Sequence, residues 1–208
     1  MIAIVAIGAA LILGIAIGRH RAQGVQNRGE ARLSRELMTR FPPPDYHLLN
    51  NVTLRLKDGT TQIDHILVSR FGVFVIETKD FGGWIFGNEN DRYWTQVFFR
   101  AKFRFQNPIR QNYRHVCAVR ELLDFLDSEL INSAVVFAGD AEFKTNVPRG
   151  VFTLPQFLTY VGSCTTELIS PNRVQFSVGR LEVTRLAITN ATDVEHVQEL
   201  RTRFGSDD

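Results

Sequence analysis

Three extended segments in close succession, Tyr46 to Leu56, Thr61 to Ser69 and Val73 to Lys79, constrain the fold more than any other feature of this chain. They are separated only by Asp58-Gly59 and by Arg70-Phe71-Gly72, and short breaks of that kind join antiparallel neighbours. Ahead of them, Ala31, Leu33, Leu37, Met38 and Phe41 follow a helical stripe that starts at Gly29 and is stopped by Pro42, Pro43 and Pro44. Behind them, Trp84 to Phe86 and Tyr93 to Phe99 form a candidate hairpin across the polar loop Gly87 to Asp91. Pro108 then opens a helix predicted to run to about Leu126, with Ile109, Val116, Val119, Leu122, Leu123 and Leu126 on its buried side. Ser133 to Ala138, a short apolar run with β-branched and aromatic residues, reads as a strand. The order of helix, three strands, helix, strand implies an α/β domain, a mixed sheet with helices on either side.

The ends of the chain read differently. From Ile2 to Ile17 every residue is apolar, Ala or Gly, and the run stops at Arg19, His20 and Arg21. With Met1 and Gly18 it makes a helix about 27 Å long, close to the hydrocarbon thickness of a bilayer. A cleaved signal would carry its basic residues ahead of the apolar run, whereas here they follow it. The expectation is a single-pass transmembrane helix over 1–18, a juxtamembrane linker over 19–27, and a soluble part on the cytoplasmic side of the inner or plasma membrane. The domain is then expected over 28–140. Beyond it, 141–208 is expected to be a helical extension packing on the domain: Thr153 to Val161 looks helical, Ser170-Pro171 resembles a cap, and Thr192 with Glu195 fits a capping box. Cys117 and Cys164 have no partners at metal-ligand spacing, so neither a zinc knuckle nor a disulfide framework is suggested.

The chemistry gathers where the third segment ends. In Val75-Ile76-Glu77-Thr78-Lys79, strand alternation puts Glu77 and Lys79 on one face. Asp64, inside Gln62-Ile63-Asp64-His65-Ile66, joins them if the register pairs it near Lys79, which requires an even number of residues in the connecting loop, or a bulge. Two carboxylates supply hard oxygen ligands for Mg²⁺ or Mn²⁺, and a lysine can orient water and offset charge that grows on a phosphate. Phosphodiester hydrolysis needs that set. Glu30, early on the first helix, can supply a third carboxylate if the helix packs across the sheet. The plainer readings are an exposed ion pair for Glu77 and Lys79 and a turn or cap residue for Asp64. An unpaired carboxylate inside an apolar strand is costly, which favours a ligand role for Asp64. His65, on the other strand face, is expected to be a hydrogen-bonded core residue.

These residues carry a resemblance. Asp64 followed by Glu77-Thr78-Lys79 in this element order resembles the PD-(D/E)xK nuclease superfamily. Gly29-Glu30, Gly59 to His65, Gly72 to Lys79, Tyr93 to Gln96 and Asn107 to Gln111 together resemble the nuclease-related domain, NERD, over about Arg28 to Leu130. The resemblance implies a restriction-endonuclease-like fold and a Mg²⁺- or Mn²⁺-dependent DNA nuclease. Its site would be Glu30, Asp64, Glu77 and Lys79, with Asp64 and Glu77 on the metal, no small-molecule cofactor, and often a membrane segment on the same chain.

Between Arg92 and Arg120 there is no Asp or Glu, and basic residues interleave with Phe98, Phe99, Phe103, Phe105 and Tyr113. Basic residues mixed with aromatics can hold phosphates and stack bases, so Arg100, Lys102, Arg104, Arg110, Gln111 and Arg114 are candidate nucleic-acid contacts. The alternative function is a catalytically silent module that binds nucleic acid or anionic lipid at the membrane through this surface. Oligomeric state is left open by the sequence.

Overall fold

The computed structural model describes residues 28–186, which form two mixed sheets and four helices. β1 (Tyr46–Leu56), β2 (Gly59–Ser69) and β3 (Gly72–Lys79) pair antiparallel, with Leu56 opposite Gly59 and Ser69 opposite Gly72. β7 (Ile131–Phe137) lies parallel to β3, and β9 (Val151–Thr153) parallel to β7, giving the order β1-β2-β3-β7-β9. β3 is central and buried from Gly72 to Thr78, which is why its sequence is apolar on both faces until the charges begin.

Helices cover both faces. α2 (Pro108–Leu122) and α4 (Pro171–Thr184) bring Val116, Val119, Val174 and Leu181 against Val52, Ile66, Val73 and Val75. α1 (Arg28–Arg40) and α3 (Leu154–Ser163) bring Leu33, Leu37, Leu154 and Phe157 against Leu67, Phe74, Ile76 and Val136 on the other side. Each such side chain contributes about 1.5–3 kcal/mol of apolar burial. The second sheet, β6 (Ala101–Gln106), β5 (Tyr93–Phe98), β4 (Gly83–Phe86) and β8 (Ala141–Phe143) in that order, packs on Val135, Phe137 and Val151 through Ile85 and Trp94. The Trp94 ring stacks on Phe137 with centroids 6.3 Å apart and planes 10° apart.

Three strands depart from the sequence expectation. β6 is an edge strand with mostly exposed side chains, held by its pairing with β5, so it lacks the burial pattern that marks a strand. β8 and β9 come from the segment expected to be a helical extension, and β9 extends the main sheet. Three-residue strands are fixed by tertiary pairing and carry no readable period. The two helices expected there are present, one with a capping box at Thr153 and the other with Ser170 accepting from the Arg173 N–H. α2 ends at Leu122, four residues short of Leu126, because Leu123 leaves helical geometry at ψ 45. The transmembrane helix expected over 1–18, the linker expected over 19–27 and the helix expected from Thr192 lie outside the described residues. Among the described residues no helix is long and apolar enough to cross a membrane.

Candidate active site

The site forms where β2 and β3 part. Their ladder runs from Ser69 opposite Gly72 to His65 opposite Ile76, across the two-residue loop Arg70-Phe71, so Asp64 and Glu77 are the next facing positions. There the ladder stops, and the Thr78 N–H donates to Asp64 Oδ2 at 2.7 Å instead of to a strand carbonyl. The neighbouring β1–β2 ladder also breaks, since Asn51 has a φ of 51 and has no partner in the ladder. Leu49 and Val52 belong to one core cluster, as do Ile63 and Ile66, although strict alternation would put each pair on opposite faces. A local twist in both strands therefore accompanies Asp64.

Glu77 is 2% exposed and Lys79 extends beside it, the Lys79 Nζ donating to Glu77 Oε1 at 2.6 Å and to Gln111 Oε1 at 3.1 Å. The other Glu77 oxygen meets His115 Nε2 at 3.1 Å, and His115 Nδ1 meets Thr61 Oγ1 at 2.7 Å. Gln111 and His115 are one helical turn apart on α2, so both reach the sheet from one face. Asn112, also on α2, donates to Val75 O, Ser133 Oγ and Ala134 O, fastening the helix across β3 and β7. Asn107 caps the helix: its side chain accepts from the Ile109 N–H and donates to the carbonyls of Asn88, Glu89 and Asp91.

Glu30 arrives from the opposite face. At Gly29 a Cβ would lie 2.7 Å from the Asp80 Cβ and 3.2 Å from the Ala138 Cβ, so only glycine lets the start of α1 approach the end of β3 this closely. Arg32 donates to Ala138 O at 2.9 Å and holds the same approach. His65 is fully buried between Ser34 Oγ at 2.9 Å and Thr78 Oγ1 at 3.1 Å. Burial pushes it down to about 4, against a Glu30 backbone hydrogen bond and the Glu77 charge, so it is a neutral core histidine.

Electrostatics ties the four acidic and basic groups together. Burial pushes the Asp64 carboxyl well above the usual range, and the charges of Glu77 and Glu30 push it further; the Thr78 N–H and Lys79 oppose this. Glu77 goes the other way. Burial alone would raise it, but the Lys79 charge and the His115 hydrogen bond hold it below its ordinary value. Two neighbouring carboxylates thus have proton affinities that diverge, an arrangement found in catalytic sites and in structural ion-pair networks alike. Among the described residues no group of three or more His, Cys, Asp or Glu stands arranged to hold a metal. Asp64 and Glu77 bring the hard carboxylate oxygens that Mg²⁺ takes, with both Glu77 oxygens and Asp64 Oδ2 also engaged by protein donors.

The basic candidates divide. Gln111 belongs to the Lys79 cluster. Arg110 donates to Asn90 O at 2.7 Å and Arg114 lies 3.7 Å from Asp58, so both also make contacts within the fold. Arg104 sits over the Tyr93 ring, 4.9 Å from its centroid, while Arg100 and Lys102 have no ion-pair partner among the described residues. The sequence alone does not single out His115, Thr61 and Asn112; the spacing of Gln111 and His115 on a helix anchored by Asn107-Pro108 is the available signal.

A profile of the nuclease-related domain, NERD, matches residues 26–138. An uncharacterized protein of Bacillus anthracis is 42% identical over 113 residues, covering 54% of this chain and 53% of that protein. The chain thus spans about half the length of that relative. No solved structure matches.

Proposed function

The chain belongs to the nuclease-related domain family, and from that premise we propose that it is a metal-dependent phosphodiesterase of the PD-(D/E)xK type that hydrolyses DNA. The observation that carries the reading is the cluster at the end of β3: buried Glu77 beside Asp64, with Lys79 held between Glu77 and Gln111. Asp64 and Glu77 would hold Mg²⁺ or Mn²⁺, which when bound offsets charge on the phosphate and makes water more acidic. Glu30 supports the cluster from α1. Lys79 orients the attacking water and offsets charge that grows on the phosphate oxygens. His115, braced by Thr61, fixes the Glu77 carboxylate, and Gln111 fixes the Lys79 ammonium. Hydrolysis adds the water oxygen to phosphorus as one P–O ester bond breaks, and the leaving oxygen gains a proton.

The apolar run Ile2 to Ile17, followed by Arg19 and Arg21, supports tethering of this domain to the cytoplasmic face of the membrane. A second reading is a catalytically silent module that binds nucleic acid or anionic lipid. Glu77 and Lys79 already neutralise one another, and no ready three-ligand group exists among the described residues, which favours it. The full chain, incubated with linear and circular DNA in Mg²⁺, Mn²⁺ or chelator beside Asp64→Ala, separates the two. Cleavage lost with chelator and with the substitution supports the nuclease; DNA or vesicle binding without cleavage in either metal supports the silent module.

A further inference from the structure

The tip of the β5–β6 hairpin carries aromatic rings that the core does not use. Its two-residue turn is Phe99-Arg100, and Phe99 has a φ of 52, a left-handed conformation that hairpin turns ordinarily give to Gly or Asn. Phe99 is 89% exposed, and its ring meets the Phe98 ring edge-on with centroids 4.6 Å apart. A bulky aromatic held in that backbone region, with its ring in water, points to a role outside folding.

The register extends the feature. Phe98 pairs with Ala101 and Gln96 with Phe103, so Phe98 and Phe103 share one face of the hairpin with Trp94 and Phe105. At the base of that face Trp94 is buried in the core; toward the tip Phe103 and Phe98 emerge, 53% and 44% exposed. Lys102 and Arg104 lie on the other face of the same edge strand, Arg100 lies in the turn, and no acidic residue occurs between Arg92 and Arg120. The ringed face is turned toward the segment leaving the site. Gln96 donates to Gly82 O at 2.8 Å, and a Cβ on Gly82 would lie 3.4 Å from the Phe98 ring, three residues after Lys79.

We propose that this hairpin is a stacking platform for unpaired bases, and hence that the substrate is single-stranded DNA or a duplex with a frayed or flapped end. The substrate class rests on the phosphodiesterase reading above. Bases within a duplex stack on each other and cannot lie on protein rings, whereas an unpaired strand offers bases to the rings and phosphates to the neighbouring cations. Phe98, Phe99 and Phe103 stack the bases, and Arg100 and Lys102 meet the backbone.

The test is fluorescence anisotropy of the full chain in chelator, with a labelled thymidine oligonucleotide of about 20 nucleotides and the matching duplex. Phe99→Gly is the informative variant, because glycine suits the turn and removes only the ring. The single strand is expected to bind more tightly than the duplex. Phe99→Gly and Phe103→Ser are each expected to weaken single-strand binding about 5- to 100-fold and to leave duplex binding unchanged. Equal affinity for the two substrates overturns the proposal, as does single-strand binding indifferent to both substitutions. It is also overturned if the rings govern binding to phosphatidylserine vesicles but not to the oligonucleotide. Adding Mg²⁺ to the same preparations keeps the two claims apart. Ring-dependent binding without cleavage supports the platform and removes the nuclease, while cleavage with ring-independent binding removes the platform alone.

Discussion

Replacing Asp64 by Asn is expected to make the fold more stable, the reverse of the usual effect of altering a buried, hydrogen-bonded side chain. The Asp64 carboxyl is raised well above its ordinary 3.8, first by burial and then by the charges of Glu77 and Glu30. A group whose folded pKa exceeds its unfolded value opposes folding at pH above the folded pKa, and stops doing so below the unfolded one. At pH 7 this group therefore opposes folding in the wild type. Like charges at facing strand positions, about 5 Å apart, repel by about 3 kcal/mol at an effective dielectric near 20. Lys79 offsets part of that, by less than Glu77 adds, and the Asn carbonyl bonds the Thr78 N–H about 1 kcal/mol more weakly than a carboxylate does. Removing the desolvated charge outweighs this loss, leaving a net gain of about 1–2 kcal/mol, or about 2–8 °C in Tm for a chain of this size. Urea unfolding at pH 7 measures the gain, which should shrink as the pH falls toward the Asp64 unfolded value of 3.8. Mg²⁺ should raise the Tm of the wild type and leave the variant unmoved, since binding to the folded state alone stabilises it. Lower stability of Asp64→Asn at pH 7 would refute the reasoning and make Asp64 a structural cap on Thr78.

Gly29→Ala forces a Cβ to within 2.7 Å of the Asp80 Cβ and should cost about 1–3 kcal/mol, read by urea unfolding; an unchanged midpoint would show that α1 can shift without loss. His115→Ala removes a hydrogen bond to a buried carboxylate and should cost about 1.5–3 kcal/mol at pH 7. Glu77 is held below its ordinary 4.5, so its contribution is present above that value and lost as the pH falls through the folded pKa. The electrostatic part of the His115→Ala deficit should therefore fade below about pH 4.5, and a deficit independent of pH would mean that only packing was lost.

The part of the fold legible in the sequence was the part with periodicity and turn chemistry. Asp58-Gly59 and Gly72 mark the hairpins, and the proline triplet and Pro108 bound the helices, so the β1–β3 meander and the flanking helices could be read directly. β6 could not, because its exposed, alternating rings and charges look like a loop surface. β8 and β9 were hidden by their length. At the site, Glu77 and Lys79 follow from alternation along β3, but the position of Asp64 depends on how the strands twist at Asn51, where alternation fails. His115 was hidden for a different reason: a histidine on a helix carries no sign of the carboxylate it will face until the helix is docked. The Asn112 contacts that dock it are side chain to backbone, which leaves no pairwise sequence pattern.

The most direct test of the central claim is single-turnover DNA cleavage by Lys79→Ala beside the wild type in Mg²⁺, with DNA affinity measured separately in chelator. If Lys79 acts on the attacking water and the phosphate charge, the cleavage rate falls about 10²- to 10⁴-fold while affinity stays within about threefold. An unchanged rate, or a loss of cleavage fully accounted for by lost binding, would contradict the assignment and leave the Glu77–Lys79 pair a structural one.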